Sequence, residues 1–356
     1  MKKSLKIIAV NGGFIFTGLV VAELIFGSWI FGPDYSVLNI PRNTTRHFDV
    51  SEVYPSDGLV TYTRDEHGLR GKYGKPADID VLVMGGSTTN EPYVSDGETW
   101  VDWLSKGFAD AGTPLTIVNA AVDGQSTVGH IRAIDLWFPN IPGLKPRYVL
   151  FYVGINDRAV TEDKISRYDE MKSPDPVRRF RYYFLNNSVL YNRFRQIRGM
   201  FVAQRTRLIH GAYKTANLIW RPAILITDKK TEMVPPGRLK AYENRLRVLA
   251  RKIKEDMRAE PIFITQRSGI YKIENGQILA RSSKEAEAPS TGSYLRLMEY
   301  NRATLSVCRE LGLTCVDLAS EITFEDGDFY DHIHTSPTGS KRIGEFLYPK
   351  LKDVLN

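Results

Sequence analysis

The stretch Val81-Leu82-Val83-Met84-Gly85-Gly86-Ser87-Thr88-Thr89 constrains this chain more than any other. Four apolar residues end abruptly at two glycines and a serine. A short apolar run closed by a turn signal predicts a buried parallel strand. The glycines let the backbone turn sharply and let another group approach closely. Ser87 then stands at the carboxyl end of a strand, where open α/β sheets keep their chemistry. Alone, the motif also fits a tight turn in which Ser or Thr caps the next helix. The placement of the other polar residues decides between the two.

From Asp78 onward, strand and helix patterns alternate. Strands are predicted at 79–84, 115–118, 148–153, 262–265 and 313–318. Between them, helices begin near Ser95, at Val128, near Leu239 and at Tyr294, and a last one runs to about Leu351. Ser95-Asp96-Gly97-Glu98 fits a capping box for the first helix. Trp100, Leu104 and Phe108 share its apolar face, and Gly112 ends it. Leu239, Tyr242, Leu246, Leu249, Ile253 and Met257 mark a later helix by the same spacing. Residues 268–292 read as a polar loop beside the site. Five strands separated by helices predict an α/β fold, a three-layer α/β/α sandwich around a mostly parallel five-stranded sheet.

Two segments stand outside this alternation. Lys2, Lys3 and Lys6 precede an apolar stretch from Ile7 to Phe31, longer than the roughly 20 residues a membrane helix needs. The lysines favour a cytoplasmic N-terminus and an extracytoplasmic remainder. A cleaved signal peptide ending near Ala22 is the rival, but the apolar run continues past it. Glu23, costly at a bilayer centre, lies toward the outer end, where headgroups or a partner are within reach. Residues 1–32 are thus expected to be a transmembrane anchor and 33–75 a membrane-proximal stalk that ends by packing on the main domain, with Arg64 to Gly71 a turn with docking side chains and His67 a structural or surface histidine.

The second segment is an insertion at 158–236 in the remaining domain, 76–356. Between Arg178 and Arg221 it carries ten Lys and Arg residues and no Asp or Glu. Interleaved aromatics suggest a helical lid with a basic face, either merely solvated or resting on headgroups or an anionic polymer. Nucleic acid fits poorly outside the cytoplasm. Cys308 and Cys315 form no metal-ligand pattern; they either pair or stay as buried thiols.

The remaining polar landmarks fall at one sheet edge. Ser87 follows the first strand, Gly124 the second, Asn156 the third, and Asp331 and His334 the fifth. A serine hydroxyl needs a base within hydrogen-bond reach, and His334 suits that role. Asp331, three residues earlier, can fix the tautomer of that ring, so the spacing selects His334 over His332. The N–H groups of Ser87 and Gly124 and the amide of Asn156 can stabilise an oxyanion. Asp157 reads as structural. No companion ligands make Asp331, His332 and His334 a metal site, no phosphate loop follows the glycines, and no cofactor is expected.

Gly85-Gly86-Ser87, Asn119 to Gly124, Gly154-Ile155-Asn156-Asp157 and Asp331-His332-Ile333-His334 together resemble the four blocks of the SGNH (GDSL-type) hydrolase superfamily. The resemblance spans roughly residues 78–352. Gly86 stands where the GDSL form has Asp, as in members carrying Gly-Gly-Ser-Thr. The resemblance implies a flavodoxin-like fold and a serine esterase. As anchored members often act on surface or exported glycans, it implies O-acyl, notably acetyl, esters of such a glycan as substrate. An O-acyltransferase using the same site, a lipid esterase, and an inactive polymer-binding envelope component are the alternatives.

Overall fold

The computed structural model describes residues 2–27, 40–55, 58–160, 175–191, 218–224, 234–283 and 289–355, with isolated positions between them. The chain divides into two compact units, Met1–Asn39 with Asp163–Ile209, and Ile40–Glu162 with His210–Asn356.

The larger unit opens with an antiparallel pair, β1 (Thr44–Asp49) and β2 (Leu59–Arg64). Its main sheet holds β3 (Val81–Gly85), β4 (Ile117–Asn119), β5 (Tyr148–Tyr152), β7 (Glu260–Ile264) and β10 (Cys315–Val316). These five strands are all parallel, in the order β4-β3-β5-β7-β10. Numbered within the sheet this is 2-1-3-4-5, the doubly wound order whose crevice lies at the carboxyl edge beside the first strand. A second sheet of β6 (Leu218–Pro222), β8 (Tyr271–Glu274) and β9 (Gln277–Ser283) is antiparallel, in the order β6-β9-β8.

Alternation along each parallel strand fixes the two helical layers. Val81, Val83, Leu150, Tyr152, Ile262 and Ile264 point to one face. There they meet Trp100, Leu104 and Phe108 of α3 (Trp100–Asp110) and Ile343, Leu347 and Leu351 of α8 (Pro337–Leu351). The two helices approach so closely that a Cβ on Gly344 would lie 2.4 Å from the Cβ of Trp103. Leu82, Met84, Val149, Phe151 and Phe263 are buried on the opposite face, where the rings of Phe151 and Phe263 stack 5.0 Å apart. That face is covered by α4 (Thr127–Leu136), α6 (Pro236–Lys252) and α7 (Gly292–Leu311). His130 of α4 reaches the Phe151 ring, and Tyr242 of α6 meets Tyr300 of α7 edge to face. The three-layer parallel fold expected from the sequence is therefore present.

Several local expectations are corrected. The helix expected near Ser95 starts at Trp100, and its capping box is Thr99 with Asp102. Ser95 instead accepts a hydrogen bond from the Thr61 N–H at 3.3 Å, tying β2 to this turn. The expected fifth strand shrinks to Cys315–Val316. Residues 268–292 are not a loop but supply β8 and β9, joined by Asn275-Gly276 with both residues at positive φ. Asn-Gly is the preferred pair for such a hairpin. Leu218–Pro222, inside the segment expected to be helical, is a strand because it pairs with β9. Most of the basic insertion, 161–174 and most of 192–217, lies outside the described residues, and with it most of the expected lid. Cys308 and Cys315 are joined by a disulfide between α7 and β10.

The smaller unit contains α1 (Lys2–Phe26) and α5 (Pro176–Asn187). Among the described residues no helix is long and apolar enough to cross a membrane, which corrects the expected span. The apolar run of α1 is interrupted by Asn11, Gly12, Gly13, Thr17, Gly18 and Glu23. Glu23 does find a partner. Its carboxylate accepts hydrogen bonds from the N–H groups of Val189 and Leu190, both at 3.1 Å, and from Ser188 Oγ at 2.5 Å and Trp29 Nε1 at 3.0 Å. The Trp29 ring also lies against Tyr183 and Phe184 of α5. Phe14, Ile15, Phe16, Ile25 and Phe26 of α1 remain exposed.

Candidate active site

β3 ends at Gly85, and α2 (Ser87–Asn90) begins at once. The turn needs both glycines for want of space. A Cβ on Gly85 would lie 2.1 Å from Thr89 Oγ1, and one on Gly86 would lie 2.0 Å from Asn156 Nδ2. The Asn156 amide therefore abuts the residue just before Ser87, and it donates to the Gln125 carbonyl at 2.8 Å. Three of the four blocks meet here. Gly124 sits at φ +71, which favours glycine, and no atom lies within 4 Å of the place a Cβ would take. Its conformation, rather than crowding, calls for glycine.

His334 completes the group. Its Nε2 lies 2.7 Å from Ser87 Oγ, and its Nδ1 lies 2.6 Å from Asp331 Oδ2. The other Asp331 oxygen accepts from the N–H groups of Ile333 at 2.8 Å and His334 at 2.7 Å, which closes the tight turn between the two residues. Burial pushes the Asp331 carboxyl up. The hydrogen bond and charge of His334, with the two backbone donors, outweigh burial and hold it below the usual carboxylate range. Asp331 is thus ionised whenever His334 needs an acceptor. The ring of Tyr330 stacks nearly parallel on His334, 5.7 Å away. Ser87, Asp331 and His334 are all buried. His332 is exposed; its carbonyl accepts from Ser268 Oγ and from the Gly269 N–H, both at 2.9 Å. Asp157 is buried and pairs with Arg245 at 3.1 Å while accepting from Thr127 at the start of α4. Among the described residues no cluster of His, Cys, Asp or Glu could hold a metal ion.

Of the supporting residues, Gln266 and Glu91 were not singled out from the sequence, and Arg64 and Arg70 only as part of a turn with docking side chains. Gln266, just past β7, donates to Thr88 Oγ1 at 2.9 Å and accepts from the Ile155 N–H at 2.7 Å. It links the neighbours of Ser87 and Asn156, and its place at the carboxyl edge was the available signal. Arg64 and Arg70 come from the segment expected to be a stalk. Arg64 donates to Asn90 Oδ1 and to the Ala121 carbonyl, and Asn90 in turn donates to Asp123 at 2.7 Å. Arg70 holds the carbonyls of Asn90, Glu91 and Val94 and pairs with Asp96 at 2.7 Å. Arg64 thus ties the turn after Ser87 to the segment that carries Gly124, and Arg70 holds residues 90–96 beyond Ser87 together.

Glu91 is the third such residue. Its carboxylate accepts from the Trp100 N–H at 2.8 Å, from Thr335 Oγ1 at 2.7 Å and from Ser340 Oγ. It therefore anchors the residue next to His334. Burial pushes this carboxyl up to about 7, against the pull of those hydrogen bonds and of Arg70.

A nucleophile, a base and an orienting carboxylate in hydrogen-bond sequence can carry out acyl transfer through a covalent intermediate. Among solved structures, Axe2, an acetyl xylan esterase from Geobacillus stearothermophilus, is 14% identical over 79% of this chain and 96% of its own, with a TM-score of 0.41. The psychrotrophic esterase EstA from Pseudoalteromonas sp. is also 14% identical, over 78% of this chain and 99% of its own, with a TM-score of 0.41. LAE5, from the metagenome of Lake Arreo, is 17% identical over 78% and 95%, with a TM-score of 0.41. No curated protein matches the chain. The model of the GDSL-like lipase/acylhydrolase family matches residues 83–342, from inside β3 to the last helix, and the chain belongs to that family of ester-bond hydrolases.

Proposed function

We propose that this chain is a serine esterase that removes O-acyl groups, acetyl above all, from a cell-surface or exported glycan. The observation that carries the mechanism is the chain of short hydrogen bonds Ser87–His334–Asp331. Ser87 Oγ attacks the ester carbonyl carbon while His334 Nε2 takes its proton. Asp331 orients the ring and stabilises the imidazolium. The oxyanion is met by the N–H groups of Ser87 and Gly124 and by Asn156 Nδ2. As the tetrahedral intermediate collapses, His334 returns the proton to the departing sugar hydroxyl. A water activated by His334 then attacks the acyl-enzyme and releases the free acid and Ser87.

The test is hydrolysis of p-nitrophenyl acetate and of acetylated xylo-oligosaccharides by the full chain in detergent, wild type against Ser87→Ala. The expected loss is roughly a million-fold, the scale on which removing the nucleophile acts in serine hydrolases. Equal rates would overturn the mechanism. Free acetate as the sole acyl product, with a glycan acceptor in excess, separates hydrolysis from transfer.

The location we propose is extracytoplasmic, with the enzyme held at a membrane by α1. The Cys308–Cys315 disulfide supports an oxidising compartment. The exposed apolar side chains of α1, with three lysines near its start, support attachment to a membrane surface. A C-terminal alkaline phosphatase fusion should be active and a green fluorescent protein fusion dark. The reverse result would place the catalytic unit in the cytoplasm.

A further inference from the structure

Beside the catalytic loop lies a cleft between the three-stranded sheet and residues 322–329. Trp220, Arg267, Lys272, Arg281, Asp326 and Phe329 line it, and its volume is about 190 Å³. Its floor is built on the loop that carries the site. Ser268 and Gly269 bind the His332 carbonyl, and Phe329 fills the place where a side chain on Gly269 would go. Two residues further on stands Asp331.

The charges in this cleft are arranged for an anion. Three cations line it, Arg267, Lys272 and Arg281. Of the two lining acids, Glu325 is drawn off by Arg342 at 3.1 Å. Asp326 accepts from Trp220 Nε1 at 2.9 Å and lies 3.5 Å from Arg281, with its side chain largely exposed. Lys272, which also pairs with Glu274 at 3.3 Å, and Arg281 each sit over the Trp220 ring, 5.0 and 5.1 Å from its centre, which holds both cations at one indole. Arg281 is the informative one. It is only 8% exposed, and its buried Nε has no hydrogen-bond partner among the described residues. A buried guanidinium donor without an acceptor is rare, and the side chain lines the cleft, where a ligand oxygen would meet the other N–H groups of the guanidinium.

We propose that this cleft is an anion subsite that holds a carboxylate or phosphate group carried on the saccharide chain whose ester is cleaved. The proposal rests on the esterase reading for its substrate, but the binding does not depend on turnover. Lys272 and Arg281 bind the anion; neither touches the reacting ester. The enzyme would thereby distinguish an anionic glycan from a neutral one of the same acylation.

Calorimetry on the full-length Ser87→Ala chain tests it, with oligogalacturonate, xylo-oligosaccharide and inorganic phosphate as probes. The uronate should bind, more weakly as salt rises, while the neutral oligosaccharide does not. Arg281→Gln and, as a companion at a half-buried position, Lys272→Gln should each weaken it about ten- to a hundredfold, the usual worth of a hydrogen bond to a charged group. In the otherwise wild-type chain both substitutions should leave p-nitrophenyl acetate turnover unchanged. No uronate binding, binding of inorganic phosphate alone, or binding that survives both substitutions would overturn the proposal. Loss of p-nitrophenyl acetate turnover in the wild type, with uronate binding intact, would instead overturn the esterase reading and leave the cleft standing.

Discussion

Replacing Glu91 by Gln should remove a fall in stability that the wild type shows between about pH 4.5 and pH 7. Glu91 is fully buried, and its folded-state value of about 7 lies above the ordinary 4.5. Over that window the folded state keeps a proton that the unfolded chain has lost. Stability therefore declines as pH rises, because the folded state binds more protons. The distance between the two values corresponds to about 3 kcal/mol, at roughly 1.4 kcal/mol per tenfold change in acidity. The contribution is fully present below pH 4.5 and is lost as pH rises through 7.

Gln can keep the contacts. Its oxygen can accept from the Trp100 N–H, and its NH₂ can donate to the hydroxyl oxygens of Thr335 and Ser340, which then turn their protons elsewhere. Urea unfolding of both chains at pH 4, 5.5, 7 and 8.5 is the assay. Subtracting one from the other cancels the groups they share. The wild type should lose ground to Glu91→Gln by about 3 kcal/mol across the series. A difference that stays flat with pH would show that Glu91 is not a buried carboxyl held protonated, and the argument from desolvation would fail.

Other substitutions probe the site. Asp331→Asn should leave the fold intact but cost about 10⁴ in kcat, through the wrong ring tautomer. Asn156→Ala should cost about 10²–10³ in kcat. Gly86→Ala forces the Asn156 amide aside, since the new Cβ would be 2.0 Å from it. Its loss in kcat should resemble that of Asn156→Ala and should not add to it in the double variant. Arg64→Met should lower both the melting temperature and kcat, because Asn90 and the Ala121 carbonyl lose a buried donor; an unchanged kcat would separate this guanidinium from the site.

What the sequence made legible follows from what is local. The parallel strands announced themselves as apolar runs ending in polar turns, so the sheet and the edge that gathers Ser87, Asn156, Asp331 and His334 could be read directly. The Asp-x-x-His spacing singled out His334 because three residues close one tight turn. The Asn275-Gly276 hairpin was equally local, but the polar composition around it read as a loop. Arg64, Arg70 and Glu91 are different. Each is ionisable, and an ionisable residue in a turn or strand edge is ordinarily solvated. Each is buried only because its partners arrive from elsewhere: Ala121 for Arg64, Val94 and Asp96 for Arg70, Thr335 and Ser340 for Glu91. A buried charge costs several kcal/mol unless partners surround it. No pattern in the chain specifies such a set, because its members come from segments far apart in the sequence. The same condition makes these residues informative once they are seen. A fold that buries two guanidinium groups and a carboxylate behind one serine is holding its loops to a fixed geometry, and a nucleophile that must meet both a base and an oxyanion site requires that geometry.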